Sequence, residues 1–467
     1  MIVFGTDGWR GIIARDYTFE NLGIVALATA KYLQKIVAPG KNPAVVIGYD
    51  TRFMSKEFAY EVAQILASQN VIVHLTDSFS STPQVSFHTK QKGADLGLVI
   101  TASHNPPIYN GYKVKGSFGG PATPDQIAEL EIQVKKIEKK PQTVKFKDFD
   151  TYLDNRQIRL FNAKESYIRY IKKKINISLI NESGFNIIYD PMYGAGINTI
   201  KELLPNAKEI HGDFNPSFGE IDHPEPIQEC LLTLIDEIKA NKYDIGIATD
   251  GDADRLGAID EDGNFVDSHK IFMILLKYLY EHKKKRGAVA KTVSLTTMVD
   301  MYCEDKQIQL FETPVGFKYI AKLMVDEKIL IGGEESGGLG TMIHIPERDG
   351  IFNSLLLLEA MAVQKKSLKK LCKELDEEFG SHRYLRRDVK VTNTQKKAII
   401  AACEKNPTEL GRFKIRKIDK KDGYKFFVDA GWLLIRPSGT EPLFRFYAEA
   451  DSLSTVNELL DEGLKLK

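Results

Sequence analysis

Asp250, Asp252 and Asp254 alternate in the segment Asp-Gly-Asp-Ala-Asp-Arg. Three carboxylates this close repel one another unless a cation holds them, and an oxygen-only set suits Mg²⁺, Ca²⁺ or Mn²⁺. Mg²⁺ is favoured, because it accepts few protein ligands and completes its shell with water or phosphate oxygen. An EF-hand would need glycine at the sixth loop position, where Arg255 stands, and helices rather than strands on the flanks. An aspartate-rich surface turn is the plainer alternative, weakened by the apolar strand that runs straight into the loop.

Ser103 stands in Thr-Ala-Ser-His-Asn-Pro, directly after the apolar run 96–100. Asn105 and Pro106 predict a tight exposed turn. A hydroxyl there can act as nucleophile or phosphate carrier, although a serine at a strand end is commonly a turn or N-cap residue. His104 is adjacent in sequence and better suited to shaping the loop than to serving as a base. Lys113, in Asn-Gly-Tyr-Lys, can return to the same cleft. Arg436-Pro-Ser-Gly-Thr-Glu-Pro442, followed by Arg445, joins guanidinium, hydroxyls and a close-approach glycine into a plausible phosphate nest. Gly5–Gly11 is a weaker glycine-rich loop carrying Arg10. Neither GxxxxGK[ST] nor a strand-linked GxGxxG occurs, so nucleotide binding has no support.

These loops need elements to hold them. Short apolar strands alternate with amphipathic helices, the pattern of parallel α/β sheets. Strands are predicted at 44–49, 71–75 and 96–100, with helices at 56–68 and 84–91. A second unit has strands 185–189 and 244–248 with helices 197–204 and 227–241. A third has strands 288–293, 307–312 and 328–331 with a helix at 317–325. Each unit ends in a strand followed by a polar loop: 101–106, 249–255 and 332–338. Ligands bind beyond the carboxyl ends of such strands, so the three loops are expected to form three walls of one cleft. The last ninety or so residues read instead as an α+β module with an antiparallel sheet. Linkers are expected at 139–154, in the turn 260–263 and around 379–383.

A chain of 467 residues exceeds one hydrophobic core and predicts three or four domains. Lys+Arg (64) nearly equals Asp+Glu (63), so no global field favours nucleic acid or an anionic membrane. Anionic ligands must be captured locally. Cys230, Cys303, Cys372 and Cys403 have no zinc or CxxC spacing and read as isolated thiols of a reducing compartment. The start lacks a basic stretch followed by an apolar one, and the most apolar run, 355–363, falls short of the roughly 20 residues of a spanning helix. A cytoplasmic location is expected.

Taken together, TASHNP, DGDADR, GEESGG and RPSGTEP occur in the order of the α-D-phosphohexomutase family, and the chain resembles that family along its whole length. The resemblance implies an α/β fold: three related α/β domains with mixed, largely parallel sheets and a smaller C-terminal α+β domain, heart-shaped around a central cleft. On this reading the domains are 1–150 (phosphoserine loop), 151–260 (metal), 261–375 (sugar) and 376–467 (phosphate). Ser103 would carry the phosphoryl group, and Asp250, Asp252 and Asp254 would bind Mg²⁺ together with a phosphoserine oxygen. Lys113 would do acid/base work, with Arg10 near the phosphoserine and Arg255 steadying the transferring group. Glu334, Ser336, Gly316 and His344 would face the sugar. Arg436, Ser438, Gly439 and Thr440, supported by Arg445, would clamp the distal phosphate. The implied reaction interconverts hexose 1-phosphate and hexose 6-phosphate through a hexose 1,6-bisphosphate. Glucose is favoured by Glu334-Glu335-Ser336, by Gly338, where mannose and glucosamine enzymes often have histidine, and by His344-Ile-Pro-Glu-Arg-Asp-Gly350, which resembles the His-containing stretch of glucose enzymes. Phosphomannomutase or phosphoglucosamine mutase activity by the same mechanism is the alternative, with mannose phosphates as the second substrate; a magnesium-dependent sugar phosphatase and a non-catalytic phosphosugar sensor are the competing classes. Partners are expected to be small hexose phosphates, with a monomer or homodimer as the assembly.

Overall fold

The computed structural model describes residues 2–5, 7–140, 144–437 and 443–466. Ser438, Gly439 and Thr440, at the centre of the expected phosphate nest, lie outside the described residues.

Three mixed sheets and one antiparallel sheet follow one another along the chain. In the first, Ala44–Tyr49, Ile72–Thr76 and Leu96–Ile100 run parallel, and Tyr109–Gly116 returns antiparallel beside Leu96–Ile100. In the second, Ile187–Asp190 and Ile245–Thr249 are parallel and Leu256–Asp260 returns. In the third, Leu310–Thr313, Ala288–Thr292 and Ile329–Gly333 are parallel and Leu339–Thr341 returns. The loops at 101–106, 249–255 and 332–338 are therefore each the link between a last parallel strand and its antiparallel return.

The strands are continuous apolar runs because helices cover both sheet faces. Val45, Val46 and Ile47 are all fully buried, each such burial stabilising by about 1.5–3 kcal/mol. The helix Thr82–Lys92 starts at a capping box formed by Ser81 and Gln84, with proline in its first turn. Gly350–Gln364 is buried from Gly350 through Ala362 and packs into the core shared by the second and third units. Burial on every side explains why this helix carries the chain's most apolar run. Among the described residues, no helix is long and apolar enough to cross a membrane.

Three expectations need correction. Strand Ile158–Phe161 pairs with Ile72–Thr76, so the first sheet continues past residue 150, and Phe149–Asp154 is helical with Tyr152 buried. Residues 260–263 are no linker but the turn of a hairpin pairing Leu256–Asp260 with Phe265–Val266, so the second sheet extends past 260. The helix expected over 227–241 splits into a 3₁₀ turn, Gln228–Cys230, and a helix, Leu232–Asn241, because Leu231 turns inward to full burial between them.

The C-terminal module is a six-stranded antiparallel sheet. Asn393–Glu404 and Leu453–Leu464 supply apolar side chains to its core. Trp432, Leu434 and Tyr447 cluster with Val293 and Val315 of the third unit. Buried Glu449 accepts from the Thr297 N–H (3.1 Å), the Thr297 hydroxyl (2.6 Å) and Trp432 Nε1 (3.2 Å), and pairs with His382 at 3.1 Å. Burial alone would raise the Glu449 pKa, but His382, His269 and these hydrogen bonds hold it well below the ordinary range.

Glu449→Ala is expected to destabilise the docked module by about 3 kcal/mol, because three donors lose their buried acceptor. Since its folded pKa is depressed, the Glu449 contribution is complete above the unfolded value of 4.5 and is lost as pH falls below it. Urea denaturation between neutral and acid pH, comparing wild type with Glu449→Ala and Glu449→Gln, measures both effects. Parallel pH curves would contradict the assignment.

Candidate active site

Ser103 lies in the turn between Leu96–Ile100 and Tyr109–Gly116 and is 1% exposed. Its backbone is left-handed, with φ +54°, a conformation that costs a non-glycine residue about 1–3 kcal/mol and persists only where surroundings enforce it. The equivalent loops of the other units also contain a positive φ, at Ala253 (+57°) and Gly337 (+87°). Ser103 Oγ donates to Asp250 Oδ2 at 2.7 Å. The serine and aspartate loops, far apart in the sequence, therefore meet in one crevice. Gly251 permits this approach, since a Cβ there would lie 2.5 Å from the Ser103 carbonyl oxygen.

Asp250, Asp252 and Asp254 are fully buried, and each offers a carboxylate oxygen within 4.8 Å of the others. Asp250 Oδ1 accepts the N–H groups of Asp254 (2.8 Å) and Arg255 (2.9 Å). Asp252 Oδ2 accepts from Lys113 Nζ (2.7 Å) and from the Thr82 hydroxyl at the start of its helix, where the helix dipole favours negative charge. Asp254 Oδ2 accepts from Lys113 (3.0 Å) and Arg348 (2.7 Å). Asp252 Oδ1 and Asp254 Oδ1 are buried with no hydrogen-bond donor among the described groups. Buried carboxylate oxygens without donors are costly, and a hard divalent cation satisfies them, so the residues present fit a metal site.

The charges bear out the crowding. Burial, then Asp252 and Asp254, push the Asp250 carboxyl well above its usual range. Burial also works against Asp252, yet Lys113 carries it far below. Lys113 is itself buried; desolvation would depress it, but Asp252, Asp254 and Asp7 (3.0 Å) outweigh that and raise its pKa, so it stays protonated. His104 is held neutral by burial and by Arg255.

The remaining expected residues divide into two groups. Arg10 reaches the serine loop through Asn105 Oδ1 at 2.6 Å. Arg255 Nε lies 4.0 Å from Asp250, while its Nη1 donates to Glu225 at 2.6 Å. Glu334 is buried 3.6 Å from Arg348, and burial raises its pKa to about 7 despite that guanidinium. Ser336 is half-buried in the same loop. Gly316 caps helix Phe317–Asp326. Asp422 accepts from the Val315 N–H (2.8 Å) and from Arg436 Nε (2.7 Å), tying that loop to the C-terminal module. Arg436 pairs across the sheet with Arg445, which is 3.5 Å from Asp388.

His344 is the exception. Its Nε2 faces Asp349 at 2.8 Å, its Nδ1 faces the Tyr170 hydroxyl at 3.3 Å, and its ring stacks on Phe352. Both nitrogens therefore already face partners within the fold.

Sequence reading missed Asp7, Arg348, Glu225 and Arg386. Arg348 bridges Asp7 and Asp254 and rests beside Gly338, where an added Cβ would collide with its Cδ. Arg386 pairs with Asp388 (2.8 and 2.9 Å) on the strand beside Arg445, and it stabilises the Glu225 carboxylate electrostatically. Asp7 lay inside the noted glycine-rich loop and Arg348 inside the noted stretch His344–Gly350, whereas Glu225 and Arg386 lack a local motif and are brought in by tertiary contacts.

Four successive family profiles match the chain. They are described as phosphoglucomutase/phosphomannomutase alpha/beta/alpha domain I over residues 1–141, domain II over 165–263, domain III over 267–379, and the C-terminal domain over 388–466. The chain is 30% identical to a phosphoglucomutase/phosphomannomutase of Thermococcus kodakarensis, covering 99% of this chain and 98% of that protein. It is also 30% identical to a phosphoglucosamine mutase of Methanocaldococcus jannaschii, over 99% and 98%. Among solved structures, a Thermus thermophilus protein assigned as a phosphomannomutase superposes with TM-score 0.86 at 32% identity, over 100% and 98% of the two chains.

Asp252→Asn is expected to weaken Mn²⁺ or Mg²⁺ binding by more than about 10-fold while retaining the circular-dichroism melt. Calorimetric titration measures the affinity; a wild-type value in the variant would remove the aspartates from metal binding.

Proposed function

The chain belongs to the phosphoglucomutase/phosphomannomutase family and is a phosphohexomutase, and we propose that it interconverts glucose 1-phosphate and glucose 6-phosphate through phosphorylated Ser103. The observation that carries this reading is the 2.7 Å hydrogen bond from Ser103 Oγ to Asp250, inside a buried carboxylate cluster that needs a cation.

Asp250, Asp252 and Asp254 would hold Mg²⁺ with a phosphoserine oxygen. When bound there, the ion supplies charge neutralisation for the phosphoryl oxygens. Phosphoryl transfer passes through a loose transition state, so the protein's work is positioning and electrostatics. Ser103 gives its phosphoryl group to the free hydroxyl of a hexose monophosphate, forming hexose 1,6-bisphosphate. The P–O bond to Ser103 breaks as the bond to the sugar oxygen forms, and Lys113, held protonated by its three carboxylates, gives a proton to Oγ and recovers the one that the attacking sugar hydroxyl releases. The bisphosphate then turns over and returns its other phosphate to Ser103, with proton movement reversed. Arg255 and Arg10 add positive charge near the serine loop. Arg436 and Arg445, with Ser438, Gly439 and Thr440, would hold whichever phosphate is not reacting.

The sugar reading rests on the Glu334-Glu335-Ser336 loop. Arg348 occupies the space over Gly338 that a longer residue would claim, and its charge compensates Glu334. That compensation favours a neutral hydroxyl over a cationic amine. Glucosamine phosphate is the second reading, favoured by relatives of that name.

Ser103→Ala is expected to abolish mutase turnover, leaving the melting temperature unchanged. A coupled assay of glucose, mannose and glucosamine 1-phosphates, primed with hexose bisphosphate, tests class and sugar together. Turnover retained in the alanine variant rules out the covalent route, and a faster glucosamine reaction replaces the glucose reading. With a pKa of about 7, Glu334 loses its charge as pH falls from about 8 to 6, so KM should rise over that interval. Glu334→Gln should make KM independent of pH; an unchanged wild-type profile in that variant would exclude Glu334 from sugar binding.

A further inference from the structure

Asp50 and Arg52 follow the strand Ala44–Tyr49 and are each 2% exposed. Neither belongs to the metal cluster or the phosphate clamp. The Arg52 guanidinium donates to four carbonyls of the loop that carries Ser103: Ser103 itself (2.6 Å), Asn105 (2.5 Å), Pro106 (2.9 Å) and Tyr109 (3.1 Å). Its Nε lies 3.2 Å from Asp50 Oδ2. The same Asp50 oxygen accepts the Thr101 hydroxyl at 2.6 Å, and Thr101 Oγ1 accepts the Ser103 N–H at 2.8 Å. Asp50 Oδ1 takes the Arg52 N–H (3.0 Å) and the Ser55 hydroxyl (2.7 Å), which fix the carboxylate. The backbone N–H and carbonyl of Ser103 therefore end, from opposite sides, in one buried ion pair.

We propose that the Asp50–Arg52 pair is the positioning device that forces Ser103 into its left-handed conformation and so aims its hydroxyl at the aspartate cluster. This rests on Ser103 being the phosphoryl carrier. A strained residue persists only when its surroundings over-determine it, and here both backbone groups of that residue are held. The device also reaches the unit that supplies the aspartates. Phe218 lies under the guanidinium at 4.9 Å, and the Thr51 hydroxyl donates to the Tyr193 carbonyl at 2.7 Å. The serine loop is thus fixed in register with its partner loop. Lysine cannot replace Arg52, because an ammonium is a point donor whereas the planar guanidinium serves divergent acceptors at once.

The test compares wild type with Arg52→Lys, which keeps the charge and loses the fork, and with Thr101→Val, which removes one hydroxyl at nearly constant volume. Arg52→Lys should lower kcat about 10²-fold, the scale of a misplacement near 1 Å, with KM for glucose 1-phosphate within about threefold of wild type. Thr101→Val should lower kcat in the same direction by about 10-fold, and serves if Arg52→Lys does not fold. Amide hydrogen exchange over 102–109 should accelerate in both variants, whatever the activity. A wild type inactive on every hexose phosphate defeats the functional reading. An active wild type whose variants keep kcat within about threefold, or whose 102–109 exchange is unchanged, defeats the positioning role.

Discussion

Three carboxylates lie within 4.8 Å of one another, all out of contact with water. Burying one such charge is unfavourable, and burying three together is tolerated only where cations and donors surround them. Much of the surrounding architecture answers that demand. Lys113 contacts two of the aspartates, Arg348 contacts one and reaches Asp7, and a helix start with the Thr82 hydroxyl faces the third side. Two oxygens still have no donor among the described groups. The cluster is thus incomplete as protein alone, in the way a cation site must be, and the serine hydroxyl is presented to it.

The three mixed sheets solve a geometric problem. Each brings a parallel strand to its carboxyl end and folds it back through a short loop containing a positive φ. Repeating this design three times supplies loops at equivalent places with different chemistry: a hydroxyl, a carboxylate triplet and a glutamate pair. Close backbone approach fits them together, as where Gly251 meets the Ser103 carbonyl. The fourth module contributes cations instead. Arg386, Arg445 and Arg436 lie on neighbouring strands of its sheet. Arg436 is bound by Asp422, which also holds the Val315 N–H, so the placement of the cations and the docking of the module share one carboxylate.

Much of this was legible in the sequence. The strands at 44–49 and 96–100 are long apolar runs buried on both faces, and the structure keeps their limits unchanged. The linker at 260–263 was misread because a glycine-containing acidic turn looks the same in a hairpin as between domains. The strand Ile158–Phe161 was missed because it is short and half-exposed at a sheet edge, with no apolar run to mark it. His344 was singled out through the likeness of its stretch 344–350 to one in glucose enzymes, and only the fold shows that its nitrogens face Tyr170 and Asp349 and its ring stacks on Phe352.

Residue order alone specified the chemical inventory: a serine at a strand end, alternating aspartates, a glutamate pair and an arginine-led turn, each following an element its own periodicity predicts. Local order suffices for these because neighbouring residues define both the strand and the loop that leaves it. Folding in three dimensions was needed to establish that Ser103 and Asp250 share a crevice, that Asp7 and Arg348 join them, and that Asp50 and Arg52 hold the serine loop. Those relations depend on contacts across long stretches of chain, and electrostatic pairing at such separations leaves no periodic trace in the order of the residues.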